Sequence, residues 1–308
     1  MPLFLCRWRY VANSGNFVLV HDEELWESAL LHTGRSIPLH AMITSCGRSR
    51  AMTLDYSFDG RRRGARRFAV LQYTLRGEGR LNWEGTEHRL LPGDLMVAAI
   101  PHDHRYEFPG GAPWMFVYVC LTGSEAMRAV DAALAGGPVI RLEHSSRLLD
   151  LMHETLGFTK AVVAGTYADP GRDDRAFRAS ALAYSIAMEL LAVARIRRAE
   201  AHHVETTRSA QRLMRERCDR QIGVADLAAE LGLSRSHFTR LFTATAGISP
   251  RAFLERVRIE RAVDLLYNTC APIKQIAVEC GYVDAGYFTK AFLRCTGETP
   301  RTFRRNRM

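Results

Sequence analysis

Between residues 68 and 121 the apolar positions fall in short runs: 68–75, 80–83, 88–91, 95–100, 105–108 and 114–121. Turn residues separate them, among them Gly77 and Gly79, Glu84 and Gly85, Pro92, Gly93 and Asp94, then Pro109, Gly110 and Gly111. Strands this short and this evenly spaced predict an all-β barrel or sandwich. Residues 1–60 carry a weaker alternation, with 17–21 and 50–58 as strand candidates. After residue 121 the period lengthens to that of a helix. Positions 146–157 form one helix, with Leu148, Leu149, Met152 and Leu156 on one side. Positions 173–198 form a longer one. There Phe177, Ala181, Tyr184, Met188 and Leu191 recur close to a heptad seam, and Leu182, Ile186, Leu190 and Val193 widen the apolar face. Two uses of this helix stay open: packing on its own β unit alone, or also meeting a second copy. The five seam residues are the dimerisation candidates. The polar stretch 196–208 reads as an interdomain linker.

The C-terminal third repeats itself. Gly247, Pro250, Arg251 and Phe253 recur fifty positions later as Gly297, Pro300, Arg301 and Phe303. Phe238, Thr239, Arg240 and Phe242 recur as Phe288, Thr289, Lys290 and Phe292. Upstream, Ala228 matches Ala277 and Gly232 matches Gly281, an offset of forty-nine, so the second turn holds one extra residue. Each copy reads helix–turn–helix. In the first, 224–231 is helical, Gly232 ends it, and Ser234 caps a second helix over 235–246. In the second, 273–280 is helical, Gly281 ends it, and Asp284 caps 285–295. A helix opening at Ser249 and Pro250 and reaching about residue 267 joins the copies. A helix-turn-helix places its second helix in the major groove of DNA.

These residues carry a family resemblance. In the first copy they are Ile222, Leu227, Ala228, Leu231, Gly232, Ser234, Phe238, Arg240, Phe242, Gly247 and Pro250. In the second they are Ile276, Ala277, Gly281, Tyr282, Tyr287, Phe288, Lys290, Phe292, Gly297, Pro300, Phe303 and Arg304. The arrangement, over about 209–305, resembles the AraC/XylS family of transcription regulators. The resemblance implies that the two recognition helices dock into successive major grooves, and that Ser236, Thr239 and Arg240 stand at base-contacting positions. Setting aside the buried positions leaves Ser236, His237, Thr239, Arg240 and Thr243 on the outward face of the first recognition helix. Arg240 suits a bidentate contact to guanine, and His237 suits either rim packing or a phosphate. The second helix offers Tyr287, Lys290 and Arg294. Ala285 and Gly286 replace polar residues common in the family, so the first helix is expected to supply most sequence discrimination. Arg304, in a basic tail with Arg301, Arg305 and Arg307, is expected beside the DNA backbone.

Charge strengthens this division. The 308-residue chain carries a formal net charge of +9. From residue 209 onward there are 17 basic and 10 acidic residues, so most of the excess lies in the repeat region. The seven cysteines form no C-x-x-C pair and read as a reduced set. The apolar run 2–6 is too short for a signal peptide, and no apolar stretch of membrane-spanning length is expected. The expected location is the bacterial cytoplasm, on the nucleoid when DNA is bound.

The β region resembles the cupin-like effector domain of the same family, through Gly77 and Gly79, Leu91-Pro92-Gly93-Asp94, Pro101, His104, Tyr106, Trp114 and Gly123. The family's usual His-Phe near the end of the last strand is replaced by Cys120-Leu121. The resemblance implies a small-molecule effector, for instance a sugar or related metabolite, inside the barrel. Tyr73, Trp83, His104, Tyr106 and Trp114 are the effector candidates, each also suited to the core. Arg61, Arg62, Arg63, Arg66 and Arg67 are either a solvated loop or an attraction for an anion. His102 and His104 form an H-x-H pair, but 61–75 holds no histidine, so neither metal nor cofactor is expected.

The expected fold is therefore an α+β multidomain chain. A cupin-like β-barrel with following helices occupies 1–195, a linker 196–208, and an all-α domain of two helix-turn-helix units joined by a long helix 209–308. The expected function is a sequence-specific, effector-responsive transcription regulator, such as an activator, and not an enzyme. Its expected partners are double-stranded DNA, a small-molecule effector, a second copy and RNA polymerase, with no membrane. Two other readings stay open: a metal-dependent cupin enzyme carrying a DNA-binding module, and a constitutive DNA-binding dimer with no ligand.

Overall fold

The computed structural model describes residues 39–167 and 174–306, together with the backbone of three strands, β1 (Arg9–Asn13), β2 (Asn16–Val20) and β3 (Trp26–Ala29). It divides into two compact units, Met1–Arg197 and Arg198–Met308.

In the first unit the predicted strands form two antiparallel sheets. The further strands are β4 (Met42–Ala51), β5 (Ser57–Asp59), β6 (Phe68–Arg76), β7 (Gly79–Trp83), β8 (Thr86–Leu90), β9 (Asp94–Ile100), β10 (His104–Glu107), β11 (Trp114–Thr122) and β12 (Val139–Arg141). The large sheet runs β1-β2-β3-β4-β11-β6-β9-β12 and the small one β5-β10-β7-β8. Because strand side chains alternate between faces, β11 splits its residues between two cores. Trp114, Phe116 and Cys120 join Leu81, Leu90, Tyr106 and Met96 in an interior between the sheets. Val117, Val119 and Leu121 join a second core on the other side, against the helices. The two sheets thus enclose one interior without closing into a single hydrogen-bonded barrel.

That outer core is covered by α1 (Ser124–Leu134), α2 (Arg147–Val163) and α3 (Asp174–Glu216). The buried α3 residues in this core are Ala179, Leu182, Ala183, Ile186, Ala187 and Leu190. The seam residues lie beside it: Phe177 and Met188 are each 45% exposed, Ala181 is exposed, and Tyr184 and Leu191 are half-buried.

The second unit contains α4 (Val224–Glu230), α5 (Arg235–Ala246), α6 (Pro250–Asn268), α7 (Ile273–Glu279), α8 (Ala285–Thr296) and α9 (Pro300–Arg305). Each half has its own core. Leu227, Ala228, Phe238 and Phe242 pack with Ala210 and Met214 from the end of α3 and with Phe253, Leu254 and Val257 of α6. Ile276, Ala277, Phe288, Ala291 and Phe292 pack with Ile259, Ala262 and Leu266 of α6 and with Phe303. The first half of α6 therefore serves one core and its second half the other. Both predicted caps form: Ser234 Oγ accepts from the His237 amide at 3.3 Å, and an Asp284 carboxylate oxygen accepts from the Tyr287 amide at 2.6 Å. Both recognition helices end on a left-handed glycine, Gly247 and Gly297.

Several expectations change. The stretch 196–208 is helical, inside a 43-residue α3, because Ala, Arg and Glu dominate it and it holds no Gly or Pro. The helix at 146–157 extends to Val163, carried by Phe158, Thr159 and Val162, which are buried. The strand expected at 50–58 is instead the end of β4 and the start of β5, interrupted near Met52 to Tyr56. Helices α1 and α9 and strands β1, β3 and β12 had no expectation. One helix, Arg175–Glu216, is long and apolar enough by composition to cross a membrane, contrary to the reading of the sequence. Part of that apolar content, Leu182, Ile186 and Leu190 among it, belongs to the outer core, while Phe177, Met188 and Ile196 are exposed. The run 2–6, His21, Asp173 and Arg307 lie outside the described residues.

Candidate nucleic-acid interface and sheet interior

Burial on one side of a recognition helix dictates what the other side presents. On α5, Phe238, Leu241 and Phe242 are buried. Ser236, His237, Arg240 and Thr243 are exposed and Thr239 is half-buried. Ser234, Arg235, Ser236, Thr239, Arg240, Thr243 and Ala244 line an open hollow of about 1090 Å³. The Thr239 hydroxyl donates to the Arg235 carbonyl at 2.8 Å, and the Thr243 hydroxyl to the Thr239 carbonyl at 2.7 Å. Each threonine therefore turns a methyl group and acceptor lone pairs outward. No ion pair or hydrogen bond involves the Arg240 guanidinium among the described residues, so its donor fork is free for an acceptor edge.

The second recognition helix is held differently. Phe288, Ala291 and Phe292 are buried, and Lys290 is exposed. The Tyr287 hydroxyl accepts from Arg251 Nη2 at 3.0 Å. Arg294 donates through Nε and Nη2 to Glu255 Oε1, at 3.2 and 2.6 Å. Two of its three candidate residues are thus tied to α6. Arg304 is half-buried, with Nε and Nη2 shielded from solvent and without a partner among the described residues. This is a more enclosed setting than a solvated tail provides. Sequence reading passed over Arg235 and Arg251. Arg235 follows the cap Ser234 directly, and Arg251 stands in the repeat itself opposite Arg301; those were the available signals.

The interior of the first unit brings four of the five effector candidates together. Trp83 stacks on His102 at 4.0 Å and on His104 at 5.4 Å between ring centroids, and His104 stacks on Tyr106 at 6.0 Å. Trp114 lies in the same interior, its indole N–H donating to Thr74 Oγ1 at 3.1 Å. Tyr73 is the exception. It is buried in the helix-facing core, because it sits one residue out of step with Gln72 and Thr74 on β6.

The sequence did not single out Tyr56 or Gln72, and it offered Arg63 only within an arginine-rich run. The Tyr56 hydroxyl donates to Gln72 Oε1 at 3.4 Å, and Arg63 Nη1 donates to the Tyr106 hydroxyl at 2.6 Å. Both ring nitrogens of His104 and Gln72 Nε2 are buried without a partner among the described residues. Burial, reinforced by His102 and Arg63, lowers the His104 pKa to about 4, so the ring is neutral at pH 7. Gly60 lets the His104 ring approach this closely, since a Cβ there would collide with it. Among the described residues no group of three or more His, Cys, Asp or Glu could hold a metal ion. His102 instead turns Nε2 toward Glu84 at 3.2 Å. The six described cysteines are unbridged.

Comparison with known proteins now gives this geometry a context. Residues 48–187 match the family model of an AraC-like ligand binding domain, and 227–306 match that of a helix-turn-helix domain. The chain belongs to the AraC/XylS family of transcription regulators. Its relatives include the arabinose operon regulatory protein of Escherichia coli, 27% identical over 76% of this chain and 80% of its own length. The Msm operon regulatory protein of Streptococcus mutans is 23% identical over 77% of this chain and 84% of its own. The lactose operon transcription activator of Staphylococcus xylosus is 21% identical over 73% and 80%. This AraC-family chain is therefore a DNA-binding transcription regulator with a ligand-binding domain. The two matched regions fall one in each compact unit.

Proposed function

We propose that this regulator holds a polar small molecule between the two sheets of its first unit and reads DNA chiefly with α5. The observation that carries the DNA reading is the outward face of α5, where Ser236, Thr239, Arg240 and Thr243 line an open hollow, His237 is exposed, and the Arg240 guanidinium has no competing partner among the described residues. In this reading Arg240 contacts a base edge, and Ser236, Thr239 and Thr243 contact bases or phosphates. Lys290, Tyr287, Arg294 and Arg304 contribute mainly through the DNA backbone.

The effector reading is supported by the polar atoms of His104 and Gln72 left unpartnered in the interior. A buried donor or acceptor without a partner is costly, and a ligand's hydroxyl groups would satisfy it. Trp83, His104, Tyr106 and Trp114 are the proposed contacts, with a sugar or related metabolite favoured by relatives named for the arabinose and lactose operons. The half-exposed seam of α3 (Phe177, Ala181, Tyr184, Met188 and Leu191) is the proposed homodimer face. The proposed domain limits are 1–195 and 209–308, with 196–208 as a helical connection, and RNA polymerase is a proposed partner at activated promoters. The proposed location is the cytoplasm.

Selection of duplexes from a random pool, followed by anisotropy titration, tests the central claim. A recurring motif bound far more tightly than scrambled duplex at 0.15 M salt is expected. Equal affinity for all sequences would overturn it. A thermal-shift screen of sugars tests the effector: a stabilising sugar should lose its effect in His104→Leu.

A further inference from the structure

Within the second unit a cleft of about 300 Å³ opens between the two helix-turn-helix halves. Arg235, Arg251, Arg258, Glu255, Tyr282 and Tyr287 line it. Arg235 also borders the hollow on the reading face of α5, and Tyr287 belongs to the first turn of α8. The cleft therefore joins the two recognition helices on the side where each presents its outward residues.

Three arginines face this small volume, and the acid among them is already answered. Glu255 holds Arg294 at 2.6 Å, so its charge does not oppose an incoming anion. Arg258 is committed to structure: it donates to the carbonyls of Cys218, Arg220 and Ile222 and lies 5.6 Å over the Tyr282 ring. Arg235 and Arg251 are exposed, and Arg251 spends one nitrogen on the Tyr287 hydroxyl. Tyr282 is 5% exposed, and its hydroxyl is buried with no hydrogen-bond partner among the described residues. Burial pushes that phenol above its ordinary range, so the group stays protonated and can offer an anion only a donor. Two largely unspent guanidinium forks and one unspent hydroxyl in a cleft of this size match the several oxygens of a phosphate.

We propose that this cleft is a phosphate site, and that it takes a backbone phosphodiester from the stretch of duplex lying between the two recognition helices. Arg235 and Arg251 bind it directly, and Tyr282 donates to it directly or through one water. This rests on the reading of the second unit as a DNA reader. Its consequence is that the cleft fixes how the duplex is seated across the two halves and adds affinity without sequence choice.

The test uses the full chain and a selected duplex. Arg251→Gln and Arg235→Gln should each weaken selected and scrambled duplexes alike, by about tenfold at 0.15 M salt. Each should also lower the slope of log affinity against log salt by about 1. In a scan with single neutral methylphosphonate linkages, one linkage between the two contacted grooves should weaken the wild type and cost Arg251→Gln nothing further. Tyr282→Phe should leave the melting temperature unchanged or raised while weakening the duplex.

A second arm, without DNA, compares melting in sodium phosphate and sodium chloride at equal ionic strength. Equal melting points assign the site to the duplex backbone. A phosphate-specific rise lost in Arg251→Gln assigns the same chemistry to a free anion. Unchanged salt slopes in both arginine variants, with a featureless linkage scan and no phosphate effect, would overturn the proposal. Loss of motif preference in Arg240→Ala alongside such a null result would leave the DNA reading intact. A wild type that binds no duplex would remove that reading while the phosphate arm still reports on the cleft.

Discussion

A single arginine separates the two recognition helices. Arg240 and Arg294 both project from the outer side of their helices, but Glu255 engages only Arg294. An arginine already holding a carboxylate must give up that charge-assisted bond before it can contact a base, so sequence choice should concentrate on α5. Arg240→Ala is expected to weaken the selected duplex by about 1–3 kcal/mol and to relax preference at one base pair, read by titration against a set of single-base variants. Arg294→Ala should change affinity less and leave the preferred sequence as it was; a shifted motif in that variant would contradict the assignment.

His104 provides a second residue-scale prediction, set by pH. Its folded pKa is near 4, against an ordinary value of about 6.5, because burial disfavours the charged ring. Above pH 6.5 both folded and unfolded chains carry it neutral and it contributes no pH dependence. Between 6.5 and 4 the unfolded chain binds the proton first, so stability falls as the pH falls, and the loss levels off once the folded ring also protonates. Urea midpoints measured from pH 7.5 to 4.5 should therefore fall less steeply in His104→Leu than in the wild type. Parallel slopes would mean that the ring is not held neutral.

At the scale of elements, caps and cores fix where the reading surfaces stand. Ser234→Ala and Asp284→Ala each remove a side-chain acceptor from a helix start and should cost about 1 kcal/mol by chemical denaturation. Phe238→Ala and Phe288→Ala remove fully buried rings at matching positions of the repeat and should cost about 3–5 kcal/mol each.

Helices α4 to α8 were legible in the sequence because the repeat, the glycines and the caps all mark the same boundaries, whereas α9 was read only as a basic tail. The sheets were legible in outline because their turns are rich in Gly and Pro. Elsewhere the local signal was ambiguous. Tyr73 and Gln72 are neighbours on β6, and this strand is buried on both faces, with Ala69, Leu71 and Tyr73 on one side and Val70, Gln72 and Thr74 on the other. Alternation therefore could not say which one faces the interior. The length of α3 was hidden by its polar second half, whose helicity rests on propensity and on the burial of Thr207, Ala210 and Met214. The ties from α6 to Tyr287 and Arg294 join positions 36 and 39 residues apart, beyond the reach of any local pattern.

For the whole molecule, the uneven charge and the two separate ligand surfaces matter together. The basic excess after residue 209 should make duplex affinity fall steeply with salt, while a neutral effector in the first unit should bind with little salt dependence. If the effector alters the affinity for DNA by some factor, linkage requires that DNA alter the affinity for the effector by the same factor. This is open to direct measurement once a stabilising sugar has been found. Titrating it by calorimetry with and without saturating selected duplex should give a ratio of dissociation constants equal to the ratio of duplex affinities with and without sugar. A coupling of about 1–3 kcal/mol, or roughly 5–150-fold, is expected of an effector-responsive regulator. Ratios of one in both directions would leave two surfaces that bind independently, and the interior would then have no part in control. The same pair of titrations on Met188→Glu, which places a charge in the exposed seam of α3, asks whether pairing of two copies carries the coupling. Sedimentation should show this variant as a monomer. If the dimer carries the coupling, its sugar affinity should match the wild type while the ratio collapses toward one.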